Sequence, residues 1–292
     1  MLFLKQPQWK EMDIIHVHLF PSQIYVPFLC RILGIKTILI TTEHNTLNRR
    51  VNTFTGRIID SLVYNNYRAI ICISQGTLKM MNNWQPKLSD RMSVIYNGIN
   101  INTYKTINSI ESKHGIPIIV SVGRLVEQKN YKPAIVAMSK IIDRDFEYWI
   151  VGAGVLEIEL KNLVTSLNIE HKVKFLGFRE DIPNILAQAD IFLQTSLWEG
   201  FGLAVVEGMA AGLPVIVSNV PGVKEVVGDR DECGFLIDPS SEDEIAEKVS
   251  RLIDNPSLRE NMGRNAQTRS SDFNVDRTIS EHIELYCNLV NS

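Results

Sequence analysis

The stretch SLWEGFGLAVVEGMAAGLPVIV, Ser196 to Val217, decides how the rest of the chain is read. It places two carboxylates, Glu199 and Glu207, eight positions apart across a turn framed by Gly200 and Gly202. An apolar run, Ile191 to Leu193, leads into it; a helical pattern of small residues begins near Leu203, and a buried apolar strand follows. Glycines let the backbone approach a ligand closely, and the first N–H groups of the helix have no partner within it. Those groups, at the positive end of the helix dipole, favour phosphate. Glu199 at the mouth of the turn and Glu207 further along then suit a ligand with an anionic middle and hydroxyl groups at both ends, the layout of a sugar nucleotide. Two acids in the first turns of a helix also suit the macrodipole with no ligand at all, so the neighbouring segments carry the decision.

Composition bounds those segments. The chain has 292 residues, 45% hydrophobic and 22% charged, which suits a soluble globular protein of two ordinary domains rather than a disordered one. A net charge of −3 argues against a nucleic-acid binder. The charge is uneven: from Met1 to Arg91 eleven basic residues outnumber five acidic ones, a net of +6, so the remainder carries −9. A basic first half suits an anionic membrane face or a phosphate-bearing acceptor, and equally a set of solvated helix faces. Cys30, Cys72, Cys233 and Cys287 are scattered, with no His at metal-ligand spacing, and read as buried, reduced thiols of a cytosolic protein. No apolar run is long enough to cross a bilayer, and MLFLKQPQWK lacks the apolar core of a signal peptide. The expected location is the cytoplasm, against the inner membrane face.

Short β-rich apolar runs alternate with helical patterns along the whole chain. They are DIIHVH from Asp13, KTILIT from Lys36, AIICIS from Ala69, MSVIYN from Met92, IPIIVSVG from Ile116, EYWIVGAG from Glu147, VKFLG from Val173, DIFLQ from Asp190, PVIVS from Pro214 and GFLID from Gly234. Continuous apolar strands with helices between them predict α/β architecture, with parallel sheets covered on both faces. The polar interval Asn97 to His114 breaks the rhythm and divides the chain. The expected organisation is two Rossmann-like, doubly wound domains: a partial first one over residues 1–103, a second over 104–274, and a C-terminal helix over 275–292 returning to the first. In that helix Ile279, Ile283, Leu285, Tyr286 and Leu289 form the packing stripe.

With those segments in place, the chain resembles the retaining, nucleotide-sugar-dependent group 1 glycosyltransferases of the two-domain GT-B fold, the clan of glycogen and sucrose synthases. Several motifs carry the resemblance in order. VIYNGIN from Val94 resembles the family's linker, SVGRLVEQKN from Ser121 its phosphate loop, Glu199 to Glu207 its E-x7-E signature, and PGVKEVV and GFLIDP its closing segments. The resemblance implies that Gly123, Arg124 and Lys129 meet the donor diphosphate, Arg124 through a bidentate fork and Lys129 as a point charge. It implies that Glu199 faces the sugar hydroxyls and Glu207 the ribose. The backbone of Gly200, Phe201, Gly202 and Leu203 would hold the sugar and the distal phosphate, and the loop LGFRED, which includes Phe178, the base. His44, in TTEHN, stands where the family carries a His that reaches the donor sugar, whereas His16 and His18 read as structural. No metal or cofactor is implied, and neither DRD triplet, Asp143 to Asp145 or Asp229 to Asp231, lies at the expected donor site.

The implied activity is transfer of a hexose-type sugar, with retention, to a glycan or lipid-linked acceptor in cell-surface polysaccharide biosynthesis. Family members open with a strand and a glycine-rich loop, whereas this sequence opens on a polar, Trp-containing segment, so the expectation is a reduced acceptor domain or an internal start. Two alternatives stand beside the transferase: a catalytically weak nucleotide-sugar-binding protein, and a sugar-nucleotide epimerase of the same fold. The EGFG turn and the GRL-to-Lys129 loop favour transfer over epimerisation.

Overall fold

The computed structural model describes residues 11–46, 54–105 and 115–291. The chain divides into two compact units, one formed by Met1–Asn97 with Asp276–Ser292, the other by Gly98–Val275.

In the first unit β1 (Ile14–His18), α1 (Ser22–Leu33), β2 (Ile38–Glu43), α2 (Phe54–Tyr64), β3 (Ala69–Cys72), α3 (Gln75–Trp84) and β4 (Met92–Val94) follow one another along the chain. The strands lie side by side in the order β1-β2-β3-β4, every pairing parallel. Parallel neighbours cannot be joined by a tight turn, so a helix crosses between each successive pair up to β4. Ser74 starts α3 by accepting a hydrogen bond from the Thr77 N–H at 3.0 Å. Ile15, Val17, Leu39, Ile70 and Cys72 from the sheet pack with Val26, Met81 and Trp84 from the helices. Inside this apolar layer Glu43 is buried, and its Oε1 accepts from Gln23 Nε2 at 2.6 Å and from the Tyr64 hydroxyl at 2.5 Å. A carboxylate taken out of water needs such donors.

The second unit contains α4 (Asn102–Lys105), β5 (Ile118–Val122), α5 (Tyr131–Lys140), β6 (Glu147–Val151), α6 (Glu157–Ser166), β7 (Val173–Gly177) and α7 (Ile182–Leu186). It continues with β8 (Ile191–Gln194), α8 (Leu203–Ala210), β9 (Val215–Ser218), α9 (Val223–Val227), β10 (Gly234–Ile237), α10 (Glu242–Ile253) and α11 (Pro256–Ser270). The strand order is β10-β9-β8-β5-β6-β7, all parallel. From β5 the chain winds outward through β6 and β7, then returns to place β8 on the other side of β5. The direction of winding therefore reverses between β5 and β8, the place where open α/β sheets bind their ligands. Both central strands are buried, with β8 and β9 buried along their whole length, as strands covered on two faces must be.

Each apolar run predicted as a strand forms one. The polar interval after Asn97 holds α4 and an isolated bridge between Ile99 and Asn274, and residues 106–114 of it lie outside the described residues. The last helix, α12 (Val275–Val290), belongs with the first unit through Asp276–Ser292. There Thr278 Oγ1 donates to the Tyr96 carbonyl at 2.9 Å, and the Tyr286 hydroxyl meets His16 Nδ1 at 2.7 Å. Of the expected apolar stripe, Leu285, Tyr286 and Leu289 are half-buried, but Ile279 and Ile283 stay 50% and 54% exposed. The contacting face carries Thr278 and Tyr286, whose hydroxyls meet Tyr96 and His16, and His282, whose ring lies 5.8 Å from that of His16 while its Nδ1 meets the Thr278 carbonyl of its own helix. Three thiols are buried as expected, but Cys287, on the outer side of α12, is exposed.

Gly208 on α8 lies directly over β8, and a Cβ there would come within 2.7 Å of the Phe192 ring, itself fully buried. Gly208→Ala is expected to lower stability by about 1–3 kcal/mol, the usual cost of overpacking a core, read as a lower urea midpoint at unchanged slope.

Candidate active site

At the winding reversal the two loops that leave β5 and β8 are stitched together. Leaving β8, the chain runs through Thr195 and Ser196 to Glu199; leaving β5, it runs through Gly123 and Arg124 to Lys129. The Leu197 N–H donates to the Gln128 carbonyl at 2.8 Å, Gln128 Nε2 donates to the Trp198 carbonyl at 2.9 Å, and Thr195 Oγ1 donates to the Asn130 carbonyl at 2.8 Å. Lys129 Nζ then meets Glu199 Oε1 at 2.5 Å. The same Oε1 accepts from Gln194 Nε2 and from Ser196 Oγ, each at 2.8 Å. Glu199 is 7% exposed, so its charge is met by protein donors rather than by water.

Gly123 sits against this pair: a Cβ there would be 3.1 Å from Lys129 Cε and 3.2 Å from the Tyr131 hydroxyl, which itself donates to the Gly123 carbonyl at 3.0 Å. Burial raises the Tyr131 phenol, with the Tyr148 and Glu199 charges adding to it, so it remains a donor. Arg124 is exposed at the same end of β5. The next loop comes equally close, since a Cβ at Gly152 would fall 2.0 Å from the Gly123 carbonyl oxygen. Gly152 is required by this approach of two loop backbones.

On the other side, Gly202 takes φ +96° and opens α8 without a side-chain cap. Only a residue without Cβ adopts that conformation freely, and it leaves the first amides of α8 facing away from the helix. Phe201 is 2% exposed, with its ring edge-on to Phe273 at 5.3 Å, so it anchors the turn. Leu203 is 41% exposed. Glu207 is half-buried on α8. Burial raises its carboxyl, while a hydrogen bond from Tyr104 and the positive charge of Lys129 draw it back down. Phe178 follows β7 and is 75% exposed.

These elements assemble at the C-terminal edge of one sheet, where open α/β folds place their chemistry. Residues 103–269 match the glycosyl transferases group 1 family, and residues 3–103 match glycosyltransferase family 4. The chain belongs to the group 1 glycosyltransferases. Among its relatives is the Escherichia coli UDP-Gal:α-D-GlcNAc-diphosphoundecaprenol α-1,3-galactosyltransferase, 30% identical over 304 residues, covering 95% of this chain and 76% of that protein. Another is the Campylobacter jejuni N-acetylgalactosamine-N,N'-diacetylbacillosaminyl-diphospho-undecaprenol 4-α-N-acetylgalactosaminyltransferase, 29% identical over 260 residues, covering 85% and 69%. Among solved structures, Anabaena HepE in complex with UDP superposes with a TM-score of 0.87 at 25% identity, covering 98% of this chain and 81% of that one. The fold is GT-B, two parallel-sheet α/β units in one glycosyltransferase chain.

The second unit of this glycosyltransferase holds Gly123, Arg124, Lys129, Phe178, Glu199, Gly200, Phe201, Gly202, Leu203 and Glu207; His44 belongs to the first. His44 follows β2, which runs two residues beyond the predicted run, to Glu43. Its Nε2 lies 3.1 Å from His18 Nδ1, and the His18 ring stacks on His16 with centroids 4.1 Å apart. His16 is held between Thr42 Oγ1 and the Tyr286 hydroxyl, each at 2.7 Å, as suits a structural histidine. His18, expected to be structural as well, lies between the rings of His16 and His44. Gln194, Ser196, Tyr104 and Tyr131 join the site without being among the residues the sequence assigned to it. Ser196 and Gln194, three and five residues before Glu199, and Tyr131, two after Lys129, lie in or beside the loops themselves, whereas Tyr104 reaches Glu207 from a distant segment.

Burial, reinforced by His18 and His282, lowers His16 from 6.5 to about 3. Its folded value lies below its unfolded one, so the unfolded chain protonates first, and stability falls as pH drops below 6.5 and goes on falling towards about 3. His16→Gln is expected to flatten this dependence in chemical-denaturation series between neutral and acid pH.

Proposed function

We propose that this glycosyltransferase moves a hexose-type sugar from a UDP-sugar to a lipid-linked glycan acceptor, with retention of anomeric configuration, in cell-surface polysaccharide synthesis. The observation that carries the donor assignment is the Lys129–Glu199 pair at the winding reversal, flanked by the uncapped start of α8. It brings a cation for phosphate, a carboxylate for hydroxyls and backbone amides to one place. UDP as the nucleotude carrier is supported by Anabaena HepE, solved with UDP-glucose as well as UDP, and by the E. coli relative. The acceptor class is supported by the undecaprenol-linked substrates named for the E. coli and C. jejuni relatives.

In this reading the sugar–phosphate bond breaks while Arg124, Lys129 and the first amides of α8 take up the charge gained by the departing diphosphate. Lys129 has three protons, and one directed to Glu199 leaves two for phosphate oxygens. Glu199 accepts from the sugar hydroxyls, Glu207 from the ribose diol, and exposed Phe178 lies beside the base. Retention rests on the family resemblance. Peripheral contact with the membrane that carries the acceptor is supported by the basic first half of the sequence and by α1, where Tyr25, Phe28 and Ile32 are more than half exposed beside Arg31. Among the described residues no helix is long and apolar enough to span a bilayer.

Calorimetry with UDP, GDP and ADP, paired with transfer from UDP-hexoses to a polyprenyl-diphosphate-linked sugar, tests the proposal. UDP is expected to bind most tightly; preference for another base or no transfer from any UDP-sugar would refute it. Glu199→Ala and Arg124→Ala are each expected to cut kcat by about 10²–10³-fold in a folded protein, the scale of losing one charge-stabilising group. His44→Ala is expected to impair transfer more than nucleotide binding, and equal loss of both would assign His44 to structure.

A separate expectation concerns Tyr104. Tyr104→Phe removes the hydrogen bond that draws the Glu207 carboxyl down, so its pKa rises further. UDP binding that depends on ionised Glu207 then fails at a higher pH than in the wild type, read as an upward shift of the acid limb in a binding titration.

A further inference from the structure

Glu199 Oε1 is the acceptor for the Lys129 ammonium, the Gln194 amide and the Ser196 hydroxyl. We propose that Gln194 and Ser196 are positioning residues of the transfer reaction, which set the rotation of the Glu199 carboxylate towards the donor sugar without touching the substrate themselves. This rests on the assignment of Glu199 to the transferred sugar.

The protons of the cluster can be allocated in one way. An ionised carboxylate only accepts, so the Ser196 hydroxyl hydrogen goes to Glu199 Oε1 at 2.8 Å. Ser196 Oγ then accepts one amide hydrogen of Gln194 at 3.1 Å, and the second amide hydrogen goes to Glu199 Oε1 at 2.8 Å. Turning the amide over would set its carbonyl against the carboxylate. Gln194 and Ser196 are 5% and 1% exposed, so water does not compete for these bonds.

The arrangement has a cost. With its nitrogen so committed, the Gln194 carbonyl oxygen is buried and has no hydrogen-bond partner among the described residues. An unpaired buried acceptor destabilises a fold. The other residues of β8 are Ile191, Phe192 and Leu193, and an apolar side chain at its last position would continue their pattern without that cost. A residue that breaks the local pattern at the expense of stability, beside a carboxylate at the winding reversal, is better explained by function than by folding.

The test compares Gln194→Met, Ser196→Ala, Ser196→Thr and Glu199→Gln with the wild type in thermal unfolding, UDP binding and transfer from a UDP-hexose. Gln194→Met keeps the side-chain volume and removes both the amide and its unpaired oxygen. It is expected to leave the Tm unchanged or higher, to hold the UDP Kd within about twofold, and to lower kcat by about tenfold or more, since UDP carries no sugar for Glu199 to orient. Ser196→Ala is expected to lower kcat in the same way, and Ser196→Thr, which keeps the hydroxyl, to restore most of it. Wild-type kcat in both Gln194→Met and Ser196→Ala, beside a low kcat in Glu199→Gln, overturns the positioning role alone. Wild-type kcat in Glu199→Gln overturns the assignment of Glu199, and the positioning role with it. Parallel loss of Tm, UDP affinity and kcat in Gln194→Met makes the amide a structural member and also overturns the proposal.

Discussion

A carboxylate at 7% exposure survives in a folded protein only if donors replace its water, and the donors of Glu199 come from segments far apart in the chain. Lys129 arrives from the loop after β5, while Gln194 and Ser196 come from the end of β8 and the turn beyond it. Those loops are adjacent because β8 returns to the inner side of β5 instead of extending the sheet beyond β7. Had the chain continued outward, Lys129 and Glu199 would stand several strand widths apart. The reversal in winding and the buried ion pair are thus one constraint seen at two scales.

Around that pair the backbone is held with little freedom. Gly152 admits the Gly123 carbonyl to a distance no Cβ would permit, and the Leu197, Gln128 and Thr195 hydrogen bonds join the two loops directly. Phe201 is locked against Phe273, which fixes the turn in place. A site built this way presents a charge, a carboxylate and a row of N–H groups at positions set before any ligand arrives. Such preorganisation is where electrostatic stabilisation of a departing diphosphate gains its strength.

The first unit shows the same economy with histidines. His16 is clasped by Thr42 and Tyr286, which ties α12 to β1 and β2 through polar ends, and His18 faces His44. The expectation that α12 would pack by an apolar stripe failed at Ile279 and Ile283: His16 on β1 meets the Tyr286 hydroxyl and the His282 ring, and Thr278 reaches the Tyr96 carbonyl, so these residues rather than the two isoleucines form the contacting face. Cys287 is exposed on the same rotated helix.

Strand existence and parallel class were legible in the sequence, because burial on both faces leaves continuous apolar runs. Glu199, Lys129 and the glycine turn were legible too, since each lies in a motif only a few residues long. Gln194 reads in the sequence as the end of a strand, and Tyr104 as one more residue of a linker. What makes the first a donor to Glu199, five residues on, is the path of the turn between them, and what makes the second a partner of Glu207 is the packing of segments far apart in the chain. Local periodicity determines which segments become strands and helices; only the packed order of those strands decides which side chains meet, because a hydrogen bond depends on distance in space and leaves no period in the chain.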